Sequence, residues 1–356
     1  MDFQEAKRLA GGMLVVGFDG TELDLDTAAR IAEIGPSGVI LFKRNYRSPE
    51  QVLALTGAVR KAAGGELLVA VDQEGGRVNR FGAPFTAFPS AREIGATGND
   101  YLAYEVGMAL ARELMSVGVN LDFAPVLDVD TNPKNPVIGD RSFGGDPYLA
   151  SRMAVQMLTG MQDGGLLTCG KHFPGHGDTF EDSHLKLPRV GHSLDRLMDV
   201  ELVPFGSAVD AGVDLIMTAH VIVGGVDGDN PATMSRVLLN DLLKVRLGFS
   251  GPVISDDLEM KAIADNYGVP EAAVRSIAAG ADLLLVCHSG ELQLAVRDAL
   301  AKAIHEGGIS ADRVSDAVWR IDALRKRIPS RRPDAACVGC DAHSRLAGEI
   351  RELARG

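Results

Sequence analysis

Short runs dominated by Val, Ile and Leu recur eight times along the 356-residue chain, each followed by a more polar stretch, several of them with helical spacing. The runs span residues 13–18, 38–42, 67–72, 120–129, 166–172, 215–220, 252–256 and 283–287. Continuous apolar runs of this length are expected of parallel strands covered on both faces. Amphipathic stretches lie between them, at 48–63, 100–117, 146–163, 195–211, 235–247 and 291–304. Ser48 before Pro49 and Asp146 before Pro147 each place a capping side chain ahead of a proline at the first helical position. Eight such alternations suggest an α/β fold, a closed (β/α)8 TIM barrel, although an open doubly wound sheet shares much of the pattern. Polar residues at or just past the run ends favour the barrel: Asp72, Asp128, Lys171, His172, His220, Asp256 and His288. In barrels the active site gathers at that end, whereas solvated strand ends explain one or two such residues but not the set.

The expected organisation is a single catalytic barrel over residues 1–328. Residues 329–356 then form a short C-terminal extension, in which PSRRPD reads as a linker and DAHSRLAGEIRELARG as a charged helix packing on the barrel. A formal net charge of −12 speaks against nucleic acid or an anionic membrane as partner, since both need clustered Lys and Arg. The amino-terminal residues carry charges where a signal peptide needs an apolar stretch, and no window approaches the ~18 to 20 apolar residues of a membrane span. A cytoplasmic, monomeric protein acting on a small molecule is expected. Of four cysteines, Cys169 and Cys287 fall in apolar runs and read as buried thiols. Cys337 and Cys340, with His343, have spacing that invites zinc, but no fourth ligand lies nearby, and no metal is expected there.

The densest polar stretch is LTCGKHFPGHGDTFEDSHLKLP, residues 167–188, which starts as a strand and continues as a loop that Pro174, Gly175 and Gly177 keep from becoming helix. Connections are usually ~4 to 6 residues, so this one reads as functional. At its far end Asp182 lies two residues from His184. A histidine works as general acid and base near neutrality, and a neighbouring carboxylate orients its ring; alone, the triplet also reads as a surface loop. His172 and His176 are four apart, but Pro174 and Gly175 forbid the helix that would align them as metal ligands.

The run VISDDLEM brings Asp256 and Asp257 to the same end. Adjacent residues on an extended chain point to opposite faces, so one faces the axis. Asp256 is the choice, with Asp257 capping the next helix or pairing with a neighbour; that both only cap the helix is left open. Asp72 and Arg80 in AVDQEGGRVNR, Arg141 in GDRSFGG, and Lys171 with His172 supply carboxylate and cationic groups suited to a polyhydroxylated ligand. Each, taken singly, also reads as a rim ion pair. Gly75 and Gly76 allow a turn that returns Arg80 toward the axis. No Walker sequence or strand-linked GxGxxG occurs, and no cofactor is expected.

These blocks together resemble a known family. AVDQEGGRVNR, NLDFAPVLDV, GDRSFG, KHFPGHGDT, DSH, MTAH and VISDDLEM, in this order, are similar to those of the glycoside hydrolase family 3 β-N-acetylhexosaminidases of bacterial peptidoglycan recycling. VGCDAHSRLAGEI resembles that family's closing helix. The resemblance implies a (β/α)8 barrel with Asp256 as nucleophile, His184 as acid/base and Asp182 as its partner. Asp72, Arg80, Arg141, Lys171 and His172 match its sugar-binding positions. Many relatives append a second α/β domain, which this chain is expected to lack. The implied activity is a retaining exo-β-N-acetylglucosaminidase acting on a saccharide, with muropeptide fragments as substrate. The loop from Gly175 to His184 is expected to be mobile and to order over the bound sugar. A β-glucosidase or a β-N-acetylglucosaminide phosphorylase on the same scaffold, or a non-catalytic sugar-binding protein, are the alternatives.

Overall fold

The computed structural model describes residues 1–180, 187–328 and 337–355. Eight parallel strands close on themselves: β1 (Leu14–Val16), β2 (Gly38–Leu41), β3 (Leu68–Val71), β4 (Leu121–Asp122), β5 (Leu167–Phe173), β6 (Leu215–Thr218), β7 (Val253–Asp257) and β8 (Leu283–Val286). Neighbours in the barrel are neighbours in sequence, and β8 closes on β1 through the pairs Leu14↔Leu284, Val15↔Leu285 and Val16↔Val286. Helices cover the outside and side chains fill the inside, so strand residues of both orientations are buried. This double burial is why the runs read as continuous rather than alternating. The fold is the expected (β/α)8 barrel.

The fourth run departs from its expected extent. Only Leu121–Asp122 forms a strand, and pairing resumes at an isolated bridge between Val126 and Lys171. Pro125 has no N–H to give the ladder, although its carbonyl still accepts from Lys171 N at 3.3 Å. Residues 123–129 are nevertheless buried, so their apolar character marks a core loop. The stretch expected as one helix over 195–211 is broken into Leu194–Arg196, a wider turn at Leu197–Glu201, and Val203–Asp210, with Pro204 at the start of the last piece. A small three-stranded sheet of Arg189–Ser193, Ile222–Gly225 and Asp227–Pro231 lies beside the loops after β5 and β6.

The final helix, Asp341–Leu353, rests on helices Ala91–Ala96 and Asp100–Ser116. His343 is buried there with Nδ1 2.7 Å from Glu113 Oε1.

Helices Asp100–Ser116 and Pro147–Asp163 touch backbone to backbone. A Cβ at Gly160 would sit 2.0 Å from the Tyr104 carbonyl oxygen, and one at Gly107 would sit 2.1 Å from that of Met157. Alanine normally gains about 1 kcal/mol over glycine within a helix. Gly160→Ala is expected instead to lose roughly 1 to 3 kcal/mol through overpacking. A melting temperature equal to or above the parent's contradicts this packing.

Candidate active site

Asp72 follows β3 directly and begins a hairpin of Gln73–Gly75 and Val78–Asn79. The turn uses Gly75 at φ 92° and Gly76 at φ 56°, a region that disfavours side chains. The chain returns so that Arg80 Nη2 donates to Asp72 Oδ2 at 3.0 Å. Gln73 Oε1 fixes the return by accepting from the backbone N–H groups of Arg80 (2.8 Å) and Phe81 (3.2 Å).

From β5, Lys171 reaches across the barrel mouth, with Nζ 2.8 Å from Asp72 Oδ1 and 2.6 Å from Glu74 Oε1. Glu74 also accepts both arms of the Arg141 fork, at 2.8 and 2.7 Å. Burial alone would raise both carboxyls. Lys171 and then Arg80 overcome it for Asp72, and Arg141 and then Lys171 do so for Glu74, so both are held below the usual range. The same pairings hold Lys171 and Arg141 above their usual values despite burial. For Asp122 the balance falls the other way: burial outweighs the Gln73 N–H it accepts at 2.9 Å and the charge of Lys171, and pushes its carboxyl up to about 8.

His172 lies between Asp128 and Arg141, with Nδ1 2.7 Å from Asp128 Oδ2 and Nε2 3.3 Å from Arg141 Nη2. A guanidinium only donates, so Nε2 accepts and the ring proton sits on Nδ1, facing the carboxylate. Asp128 also accepts from the His176 backbone N–H at 2.6 Å. His176 is buried and its Nδ1 lies 2.8 Å from Thr179 Oγ1; burial pushes its imidazole down to about 4, so it is neutral at pH 7.

At the end of β7 the two aspartates part. Asp256 lines the cavity, with Oδ1 accepting the Asp257 N–H at 2.8 Å. Asp257 accepts from the backbone of Glu259 (3.1 Å) and Cys287 (3.3 Å), and its Oδ2 is 3.3 Å from His288 Nε2. His220 Nε2 donates to the Asp257 carbonyl at 3.0 Å and steadies the turn. Asp256 therefore stands in the wall shared by two adjoining hollows, about 270 and 250 Å³ in volume, together with Asp72, Arg80 and Met217. One is lined by Glu74, Arg141, Lys171, His172 and His176, the other by Phe42, Phe123, Met260 and His288.

Asp72, Arg80, Arg141, Lys171, His172 and Asp256 thus converge on one cavity. Asp182 and His184 belong to residues 181–186, which lie outside the described residues and include the last four positions of the loop expected to order over a sugar. The described part of that loop is well held: Thr179 is buried and accepts at its carbonyl from Asn132 Nδ2 (3.1 Å). Asp178 Oδ2 lies 3.0 Å from His192 Nε2 on the small sheet. Beyond the segment, Pro188 accepts from Ile222 N–H at 2.9 Å. Sequence reasoning missed Glu74 and did not connect Asp128 with His172. The Glu in AVDQEGGRVNR was visible, but its partners, 67 and 97 residues on, were not.

The arrangement offers closely spaced donors and acceptors for hydroxyl groups beside one carboxylate able to attack or to stabilise positive charge. Residues 11–324 match the glycosyl hydrolase family 3 N terminal domain. A protein of Thiobacillus denitrificans (strain ATCC 25259 / T1) named beta-hexosaminidase is 43% identical over 287 residues, 79% of each chain. The solved family 3 β-N-acetylglucosaminidase of Paenibacillus sp. str. FPU-7 superposes with a TM-score of 0.93 at 41% identity, over 98% of this chain and 68% of that one. NagZ from Neisseria gonorrhoeae, solved in complex with N-trifluoroacetyl-D-glucosamine, gives a TM-score of 0.83 at 34% identity, over 97% of this chain and 98% of its own.

Glu74 holds two cations, so Glu74→Gln keeps the shape and leaves Lys171 and Arg141 under-neutralised. A loss on the order of 3 kcal/mol at pH 7 is expected. Because the Glu74 carboxyl is depressed in the fold, its contribution is complete above its unfolded value of ~4.3 and is lost as pH falls through the lower folded value. The gap between parent and variant should therefore narrow below about pH 4. Denaturant melts showing no gap at pH 7, or one undiminished in acid, contradict the cluster.

Proposed function

The chain belongs to glycosyl hydrolase family 3, and from that premise we propose that it is a retaining exo-β-N-acetylglucosaminidase that removes terminal β-linked N-acetylglucosamine from muropeptide fragments in the cytoplasm. The observation that carries the reading is Asp256 in the shared wall of two hollows, one of them lined by interlocked charges. The relatives' names supply the sugar. Among the described residues no helix is long and apolar enough to cross a membrane. The protein acts as a monomer, with residues 1–328 as its catalytic barrel and the helix Asp341–Leu353 resting on it.

In this reading the terminal sugar occupies the polar hollow. Asp72 accepts from its hydroxyl groups, while Arg80, Arg141 and Lys171 donate to its oxygens. His172 contributes the Nε2 edge, and Glu74 keeps both long cations extended. Asp256 attacks the anomeric carbon as His184 gives its proton to the leaving oxygen, which breaks the glycosidic bond and leaves a glycosyl-enzyme ester. His184, now neutral, takes a proton from water, the resulting hydroxyl displaces Asp256, and the configuration is retained. Asp182 orients the imidazole and stabilises its protonated form.

Asp256→Ala is expected to abolish nearly all turnover of a chromogenic N-acetylglucosaminide while leaving the melting temperature and circular dichroism unchanged. His184→Ala should cost ~10²- to 10⁴-fold on a natural aglycone and far less on an activated aryl one, which needs little protonation to leave. Equal losses on both substrates argue against His184 as the acid. Sugar 1-phosphate as the main product in phosphate buffer would replace hydrolysis with phosphorolysis.

A further inference from the structure

Cys337 and Cys340 are the first and last residues of one tight turn, closed by Cys340 N–H donating to the Cys337 carbonyl at 3.4 Å. The Cα atoms of such a turn lie within ~7 Å, close to the ~4.4 to 6.8 Å that a disulfide spans. Both thiols are free and partly exposed, whereas Cys169 and Cys287 are buried and burial pushes their thiols well up. A buried, neutral thiol exchanges slowly; a partly exposed pair does not share that protection.

The centre of the turn is anchored. Val338 packs on the core, and Gly339, at φ +64°, lies so near Pro84 that a Cβ would come within 2.0 Å of the Pro84 carbonyl oxygen. Gly339 N–H donates to Glu113 Oε1 at 3.1 Å. The same carboxylate accepts from Thr86 N–H (2.9 Å) and Thr86 Oγ1 (2.6 Å). The turn and residues 81–89 therefore share one buried acceptor. Two more ties follow along the last helix: the His343 ring lies 6.2 Å from Phe88, and Arg351 donates to the Ala87 carbonyl. Pro84 is four residues past Arg80, whose guanidinium holds Asp72.

We propose that Cys337 and Cys340 form a reversible dithiol–disulfide site, and that closing it shifts Gly339 against Pro84 and so moves the loop presenting Arg80. The oxidant is a low-molecular-weight disulfide, RSSR. The thiolate of one cysteine attacks a sulfur of RSSR, the S–S bond breaks, and RS⁻ leaves to become RSH. The second thiolate attacks the protein-side sulfur of the mixed disulfide and releases a second RSH. The protein loses two hydrogens and two electrons, and RSSR gains them.

The full-length protein is incubated with oxidised glutathione, which is then removed. Intact mass should show the loss of two hydrogens, and peptide mapping a Cys337–Cys340 link. Hydrogen exchange should change across residues 81–89, and dithiothreitol should reverse both effects. Resting further on the sugar-binding reading of Arg80, KM for the chromogenic substrate should rise roughly threefold or more with kcat less affected. The double variant Cys337→Ser, Cys340→Ser should match the reduced parent and ignore glutathione. Only mixed glutathione adducts, or an internal disulfide with unchanged exchange at 81–89, overturns the proposal. Absence of turnover in the reduced parent would instead remove the glycosidase reading, leaving the mass and exchange results to test the thiols alone.

Discussion

The barrel mouth depends on the mutual neutralisation of Asp72, Glu74, Arg80, Arg141 and Lys171. The Lys171 side chain is 1% exposed and that of Glu74 6%. Taking each such ion out of water costs several kcal/mol, and a lone one would not stay ionised there. The cost is offset only when β3, its hairpin, the turn Gly139–Arg141 and β5 all arrive together. The site therefore needs these four segments in place together, and Asp122, for which burial outweighs the pull of Lys171 and of the Gln73 N–H, shows what burial does otherwise.

Such a cluster suits a neutral polyol. Lys171 and Arg141 are already largely withdrawn from water and all three cations are paired, so a polyol bound there would meet donors and acceptors whose ordering cost was met on folding. The Asp128–His172–Arg141 chain extends the same logic to a ring whose proton position is set by its two neighbours. Asp256, held by the Asp257 amide and braced through His220, stands where this polar hollow meets a more apolar one.

The barrel was legible because double burial writes itself as unbroken apolar runs, and the run ends marked the functional face. The run over 120–129 was read too long: apolar character reports burial, and the regular strand stops at Asp122, with only an isolated bridge at Val126 beyond it. The small sheet went unread because Arg189–Ser193 alternates only weakly and Asp227–Pro231 is a polar strand rich in turn formers. The hairpin that returns Arg80 was visible in Gly75 and Gly76, since a positive φ needs them. Glu74 was not, because its role exists only through partners distant in sequence. Asp182 and His184 rest on local chemistry and resemblance, and lie outside the described residues.

The proposed mechanism requires the carboxylate of Asp256 to become covalently joined to the sugar. Incubation with a 5-fluoro glycoside of N-acetylglucosamine, whose second step is slow, followed by peptide mapping, tests it most directly. A time-dependent adduct of one glycosyl unit on the peptide carrying Asp256 is the result expected. A label on any other side chain, or single-step turnover with inverted configuration and no adduct, would contradict it.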